Sequence, residues 1–175
     1  MIIRPETDDD RHEISRIVGA AFGSDVEPAL VERIRASDGY VPELALVAER
    51  DGRVVGHVMV SGASLRTADG VHPIVMLAPL AVDPACQGDG VGGALVREVT
   101  RRAGALGHPF VVLEGSPAYY SRFGFEPAAR YAVTMPLPDW APREAAQLLR
   151  LPNFTGASVH GGGAVVYSPA FDGVE

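Results

Sequence analysis

Four glycines stand close together in this 175-residue chain, at Gly88, Gly90, Gly92 and Gly93. Glycine lets a backbone come close to a ligand, since no side chain stands in the way. The helix predicted directly behind these glycines has free N–H groups in its first turn, and such groups attract anions. The glycine loop therefore predicts a binding site for a ligand that carries phosphate.

One interpretation of the glycines is a dinucleotide site. Gly88-x-Gly90-x-x-Gly93 matches the G-x-G-x-x-G fingerprint, and Glu114 follows at about 20 residues, where a ribose-binding acid is expected. Two features argue against this interpretation. Residues 83–87 separate the preceding strand from the first glycine, whereas a dinucleotide turn follows its strand directly. The fingerprint also arrives after a predicted antiparallel meander instead of opening a βαβ series.

A second pattern covers the same loop. Gln87-x-x-Gly90-x-Gly92 follows a strand that ends in Leu-Ala-Val-Asp-Pro over residues 80–84. This arrangement resembles the pyrophosphate loop of the GCN5-related N-acetyltransferases (GNAT), whose signature is (Gln/Arg)-x-x-Gly-x-(Gly/Ala). The segment from Tyr120 to Phe125 is similar to the Tyr-x-x-x-Gly-Phe element of the same family.

The resemblance covers about residues 1–135, and within it residues 113–127 are most similar to a bacterial branch of acetyltransferases with no assigned substrate. It implies an α/β (α+β) acyl-CoA N-acyltransferase fold with a mixed, mostly antiparallel sheet of about seven strands. Strands four and five of that sheet would be parallel and splayed apart. The whole chain, 1–175, is then a single domain, with residues 136–175 as an extension that completes the sheet.

The same resemblance implies acetyl-CoA as cofactor and direct transfer of its acetyl group to an amine of a small molecule or a protein. The cofactor-binding residues that it implies are Leu80, Ala81, Val82, Gln87, Gly88, Asp89, Gly90, Val91, Gly92 and Gly93. Asp89 departs from the usual pattern, because a basic or neutral residue is common there. A carboxylate beside a pyrophosphate is unfavourable unless it points outward.

Tyr120 is the predicted general acid, since it has the family's spacing to the Gly-Phe pair. A phenol pKa near ~10 is close enough to a thiol pKa near ~8.5 for proton transfer to the leaving sulfur. Glu114, at the end of strand five, is the nearest candidate for a general base, because residues 74–82 contain no acid. That missing acid and Asp89 motivate an alternative, a non-catalytic acyl-CoA-binding or regulatory module.

Hydrophobic periodicity and turn residues predict the elements that position these residues. The first half is predicted to contain a strand over Met1–Arg4, helices ending near Phe22 and around Leu30–Ile34, and a hairpin with arms Leu44–Arg50 and Arg53–Ser61. The second half is predicted to contain a strand over Ile74–Val82, a helix over 94–106, strands over Pro109–Leu113 and from Phe125, and a short helix over Pro117–Phe123. The tail is predicted to contain a helix over Arg143–Leu151 and a strand over Ala164–Tyr167.

Composition limits the partners. A net charge of −7 disfavours nucleic acid, which needs a basic face. No apolar run reaches the ~18 residues of a membrane span, and the N-terminus has no signal-peptide pattern. Cys86 is the single cysteine, so a cytoplasmic location is expected. No His/Cys cluster has metal-ligand spacing, so no metal is predicted. The family resemblance allows a homodimer.

Two further side chains have open roles. His57 alternates with apolar residues on a strand that borders the active site in the resembling family, yet a buried structural role is favoured. Trp140 lies in a proline-rich connection, where it could shape the acceptor pocket or a dimer surface. A packing role is the favoured expectation for it.

Overall fold

Nine strands form one mixed sheet in the computed structural model, which describes residues 1–174. The strands are β1 (Ile2–Pro5), β2 (Ala45–Arg50), β3 (Arg53–Thr67), β4 (Gly70–Val82), β5 (Phe110–Glu114), β6 (Glu126–Pro127), β7 (Val133–Thr134), β8 (Ala146–Arg150) and β9 (Gly163–Val166). The helices are α1 (Arg11–Phe22), α2 (Val26–Arg35), α3 (Val91–Ala105) and α4 (Pro117–Tyr120). The strand order is β1-β2-β3-β4-β5-β8-β6, and β9 pairs with β3 and β7. None of these helices is long and apolar enough to cross a membrane.

Strands β2, β3 and β4 are an antiparallel meander, as predicted, and β1 pairs antiparallel with β2 at its edge. Asp51 and Gly52 turn β2 into β3 with positive φ angles of 52° and 73°, the conformation that a two-residue hairpin turn requires. The pairing of β3 with β4 is interrupted between Val58 and Val60. The interruption lies opposite the part of β4 that leads to the glycine loop.

Strands β4 and β5 are parallel but remain paired for a short distance. Their pairs are Val75 with Val111 and Met76 with Val112. From Leu77 to Val82, β4 has no partner strand on that side among residues 1–174. Strand β5 pairs along its whole length with β8 on its other edge. The predicted splay between strands four and five is therefore confirmed.

Helices cover both faces of the first strands of the sheet, because the side chains of β2 alternate between two of its three apolar clusters. Leu46 of β2 packs in the cluster with α3, whereas its neighbour Val47 packs in the cluster with α1 and α2. Helix α3 lies very close to β3, since a Cβ placed on Gly56 would be 2.9 Å from side-chain atoms of Val91 and Leu95. This close packing holds the start of α3, and so the glycine loop, against the sheet.

The prediction of a helix over Arg143–Leu151 is wrong. The structure has a 3-10 turn over Arg143–Ala145, and then strand β8. Alanine, glutamine and leucine favour a helix locally, but here they satisfy the open backbone edge of β5. Leu148 is fully buried, and the buried side chain of Gln147 donates to the carbonyl of Gly115 at 3.0 Å. The sixth strand, β6, begins where predicted but has two residues.

A buried ionic network ties α2 to the sheet through Glu6. Its carboxylate accepts two hydrogen bonds from Arg35, at 2.7 and 2.8 Å, and one from the Tyr40 hydroxyl at 2.9 Å. His57 Nε2 lies 2.9 Å from the same carboxylate. Burial alone would raise the pKa of Glu6, but hydrogen bonds from Arg35 and His57 lower it far below its ordinary range. His57 is fully buried, which agrees with the structural role expected for it.

We predict that Glu6→Gln lowers the free energy of unfolding by about 3–5 kcal/mol, because it removes the buried counter-ion of Arg35 and leaves the half-exposed Glu32 as its remaining carboxylate partner. Urea unfolding at pH 7 measures the difference. Since the Glu6 pKa is lowered in the folded state, its stabilising effect is complete at neutral pH. That effect is lost as the pH falls below about 4.5, the ordinary value.

The matched control is Glu43→Gln, which removes an exposed acid and should leave the unfolding free energy nearly unchanged. Because Glu6→Gln lacks the carboxylate, the unfolding free energy of wild type should fall faster than that of Glu6→Gln as the pH drops below 4.5. Equal unfolding free energies for wild type and Glu6→Gln at pH 7 would contradict the role given to Glu6.

Candidate functional site

The glycine loop is held at its entrance by side chains. Asp83 accepts one hydrogen bond from the Ala85 N–H at 3.0 Å and another from Arg16 at 2.6 Å. The Gln87 side chain donates to the carbonyl of Val82 at 3.2 Å, which ties the loop back to the end of β4. Residues 88 and 90 have φ angles of 86° and 82°, a left-handed conformation that glycine adopts without strain.

The loop ends at the N-terminus of α3. The first hydrogen bond of this helix runs from the Ala94 N–H to the Gly90 carbonyl at 3.1 Å, so the N–H groups of residues 91–93 have no partner within the helix. A Cβ on Gly92 would be 2.5 Å from the Tyr119 hydroxyl. A side chain at this position would have to displace the Tyr119 ring. These N–H groups and the dipole of a 15-residue helix favour an anion.

A cavity of about 540 Å³ extends from this helix N-terminus along the open edge of β4. We call it the loop cavity. Nine of the ten predicted cofactor-binding residues line it: Leu80, Ala81, Val82, Gln87, Gly88, Gly90, Val91, Gly92 and Gly93. Its charged lining, within residues 1–174, consists of Arg97 and Arg122. The loop cavity is thus cationic in a protein whose net charge is −7.

The two arginines are held over aromatic rings. The Arg97 guanidinium lies 5.0 Å from the centroid of Phe123, and that of Arg122 lies 4.6 Å from the centroid of Tyr119. Sequence reasoning missed both arginines, although Arg97 is one helical turn beyond Gly93 and so shares its face of α3. Arg122 lies inside the Tyr-x-x-x-Gly-Phe element, at one of its unspecified positions.

Asp89 is the tenth predicted residue, and its side chain does not line the loop cavity. Its carboxylate pairs with Arg50 of β2 at 3.0 Å, on the exposed surface. The repulsion expected between Asp89 and a phosphate is therefore avoided, because the carboxylate points outward and carries its own counter-ion.

A second cavity, of about 460 Å³, lies beside the first. It is bordered by α2, by β4, by the end of β5 and by the C-terminal tail. Its charged lining, within the described residues, is Glu27 and Glu114, and we call it the acidic cavity. Phe22 and Leu80 line both cavities, so the two spaces meet there. Trp140 borders the acidic cavity with 78% of its surface exposed, so the packing role expected for it is wrong.

The structure brings Tyr120 and Glu114 to the acidic cavity, as the prediction of a shared site requires. The Tyr120 ring packs edge-on against Tyr119 and Phe125, and its hydroxyl makes no hydrogen bond within residues 1–174. Burial raises the pKa of Tyr120 to about 12. The Glu114 carboxylate accepts a hydrogen bond from the Tyr167 hydroxyl at 2.6 Å. The tail thereby closes one side of the site.

Three further residues converge at the opposite end of the β3–β4 hairpin. The ligand atoms of Asp69, His72 and His160 lie within 4.8 Å of one another, and the two imidazoles stack with centroids 3.5 Å apart. No spacing pattern marks this cluster, because His160 is distant from Asp69 and His72 in the chain. None of the three residues lines the loop cavity or the acidic cavity.

The comparisons with known proteins agree with this geometry. The family model of the acetyltransferase (GNAT) domain matches residues 2–128, which include the glycine loop and Tyr120. The uncharacterized N-acetyltransferase YjhQ of Escherichia coli strain K12 is 35% identical over 133 residues, 74% of each chain. The uncharacterized N-acetyltransferase YhbS of the same strain is 40% identical over 132 residues, 75% of this chain and 77% of YhbS.

Two solved structures are similar over almost the entire chain. The crystal structure of the Escherichia coli GNAT family N-acetyltransferase YhbS in complex with CoA is 33% identical with a TM-score of 0.86, covering 99% of this chain and 93% of that one. The crystal structure of a GNAT family acetyltransferase from Brucella melitensis in complex with acetyl-CoA is 31% identical with a TM-score of 0.76, covering 98% and 97%. The likeness therefore extends into the tail, beyond the residues that the family model matches.

We predict that the Tyr120 hydroxyl stays protonated far into the alkaline range, because burial opposes the phenolate. Ultraviolet titration of wild type minus Tyr120→Phe should show no phenolate component at pH 10, since the Tyr120 pKa is about 12. The same difference measured in concentrated urea should titrate near the ordinary value of about 10. A native component with its midpoint at 10 would show that the hydroxyl is hydrated.

Proposed function

This chain belongs to the GNAT family of acetyltransferases, and from that premise we propose where its ligands bind: acetyl-CoA in the loop cavity and the amine acceptor in the acidic cavity. The family membership confirms the prediction of an acetyl-CoA-dependent N-acetyltransferase, and the dinucleotide interpretation is set aside. The acetyl group would pass to the acceptor where the two cavities meet, at Phe22 and Leu80.

The observation that carries this assignment is the coincidence of an anion site with an unpaired strand edge. The pyrophosphate would bind the free N–H groups of residues 91–93, with Arg97 and Arg122 supplying positive charge. The pantetheine carries amide groups, and these would pair with the open edge of β4 from Leu77 to Val82. The thioester at its far end would then reach the junction with the acidic cavity.

The proposed reaction is direct attack. The amine nitrogen forms a bond to the acetyl carbon, the carbon–sulfur bond breaks, and the thiolate takes a proton. The backbone N–H of Val82 would stabilise the oxyanion that forms on the carbonyl, since the N–H of its neighbour Asp83 points the other way, to Val55 of β3. From an ammonium acceptor the products are the acetylated amide, the CoA thiol and one released proton.

Tyr120 is our proposed general acid, supported by its place in the acidic cavity and by a hydroxyl free of hydrogen bonds within residues 1–174. Its raised pKa keeps it protonated at neutral pH. Burial also disfavours a free thiolate, so the sulfur holds a proton more tightly here than in water. Glu114 is the proposed acceptor of the proton that the amine loses, either directly or through water.

We also propose that residues 136–175 act as part of the same domain, which β8 and β9 support because both belong to the central sheet. A cytoplasmic location is proposed from the single cysteine, since disulfides are rare in reducing compartments. The homodimer stays a prediction.

We predict that the double variant Arg97→Gln, Arg122→Gln weakens acetyl-CoA binding by about tenfold to a hundredfold, because a hydrogen bond to a charged group contributes about 1.5–3 kcal/mol. Calorimetric titration measures the affinity, with NAD as the control ligand. Arg143→Gln removes an exposed arginine outside both cavities and should bind acetyl-CoA as wild type does. Unchanged affinity in the double variant, or NAD binding in place of acetyl-CoA, would oppose the assignment of the loop cavity.

We predict that Tyr120→Phe lowers kcat by about 10²–10⁴-fold, the usual contribution of a general acid, and leaves the acetyl-CoA affinity unchanged. Steady-state rates of thiol release with a panel of amines measure the effect. Tyr131→Phe is the matched control, since the hydroxyl of Tyr131 bonds to Glu126 outside both cavities. Equal rates for Tyr120→Phe and wild type would contradict the assignment of Tyr120 as the general acid. Acetyl-CoA binding by wild type without turnover of any amine would favour the non-catalytic module.

A further inference from the structure

The acidic cavity combines two carboxylates with an apolar wall, and this combination selects among amines. We infer that the acceptor is a primary amine carried on an apolar body of about the size of an aromatic ring, with no anionic group. We further infer that Glu27 binds its ammonium group. This inference rests on the proposed function of the two cavities and names the substrate class of the acidic one.

The first argument is the state of Glu27. Its side chain borders the cavity, and Oε2 is buried without a hydrogen-bond partner within residues 1–174. A buried carboxylate oxygen that lacks a donor is unfavourable unless a cation or a hydrogen bond compensates it. The cavity lining contains no arginine or histidine within the described residues, so the protein itself supplies no cation there. A bound ammonium would supply it.

The second argument is the contrast with Glu114. That carboxylate already accepts the hydrogen bond from Tyr167, and it lies at the exposed end of β5 beside Gly115 and Tyr120. Glu27 comes instead from α2, a few residues after Phe22, which lines the junction of the cavities. The two acids thus have different surroundings. Glu27 is the one that lacks a partner for its charge, and we assign it to acceptor binding.

The third argument is the rest of the wall. Apart from the two acids and the tyrosine hydroxyls, the lining is mainly hydrocarbon and aromatic: Leu30, Met76, Leu77, Trp140 and Phe171 are among its members. Polar groups buried there would lose water without gaining partners. Polyamines, aminoglycosides and peptide segments carry several such groups, and an amino acid carries a carboxylate that Glu27 and Glu114 would repel. An aromatic or aliphatic body fits a cavity of about 460 Å³ without that penalty.

The transfer itself is unchanged by this assignment. The acceptor enters as an ammonium held by Glu27, gives one proton to Glu114 or to water, and attacks the thioester as the free amine, whose second proton balances the one that the thiolate takes. The carbon–nitrogen bond forms as the carbon–sulfur bond breaks, and the products are the neutral amide and the CoA thiol. Because the product has no positive charge, its attraction to Glu27 is lost, which favours release.

The test is a rate comparison on the purified full chain with acetyl-CoA and five amines: 2-phenylethylamine, phenylalanine, spermidine, kanamycin and a lysine-containing peptide. We expect kcat/KM for 2-phenylethylamine to exceed that for each of the others by about tenfold or more, since one unpaired buried polar group contributes a factor of that order. Phenylalanine is the sharpest comparison, because it has the same ring and amine and adds a carboxylate.

The variant Glu27→Gln tests the role of Glu27 separately from the selectivity of the whole cavity. It should raise the KM for 2-phenylethylamine about tenfold while kcat and the acetyl-CoA affinity stay unchanged, because the variant removes charge from acceptor binding alone. Glu27→Asp, which keeps the charge on a shorter side chain, should give a smaller increase. Glu43→Gln makes the same change in net charge at an exposed site outside both cavities and should behave as wild type.

The outcomes are distinguishable. Acetylation of spermidine, kanamycin, phenylalanine or the peptide in preference to 2-phenylethylamine would overturn the inferred substrate class and leave acetyl transfer intact. An unchanged KM in Glu27→Gln would overturn the role of Glu27. Tight acetyl-CoA binding with no acetylation of any amine would instead contradict the proposed transfer at the junction of the cavities.

Discussion

The separation of β4 from β5 is the constraint on which the rest of the site depends. Parallel pairing ends after Met76 and Val112, while β5 pairs along its whole length with β8 on its other edge. Because β8 satisfies β5 on its far edge, the sheet stays continuous while a gap opens beside β4. The unpaired edge of β4 can then pair with an extended ligand, and the gap leads from the glycine loop to the acidic cavity.

The two cavities beside that gap have opposite charge, although the net charge of the chain is −7. The loop cavity has two arginines and the N-terminus of α3, whereas the acidic cavity has two glutamates. Asp89, which stands in the glycine loop, is removed from the first cavity by its ion pair with Arg50. The sites that we propose for the anionic cofactor and for the cationic acceptor therefore lie in neighbouring but different spaces. The region where they meet is apolar, since Phe22 and Leu80 form it.

Local patterns predicted the strand, the glycine loop and the helix that line the loop cavity, because these elements are built from consecutive residues. The strand, the loop and α3 form one continuous segment, and each is specified by apolar runs, glycines and helical period. Tyr120 could be found in the same way from its distance to Gly124. Arg97 and Arg122 could also be predicted from local patterns, since Arg97 belongs to α3 and Arg122 to the Tyr-x-x-x-Gly-Phe element.

The sequence by itself determined the glycine loop, the hairpins and the amphipathic helices, because short-range sterics and periodic burial act between near neighbours in the chain. Tertiary structure decided the rest. Residues 146–150 have helix-forming side chains but became β8, since the open edge of β5 offered hydrogen bonds that a short helix could not match. Glu27, Trp140 and Tyr167 meet around one cavity from segments far apart in sequence. No local signal marks them, because their environment exists only after the chain has folded.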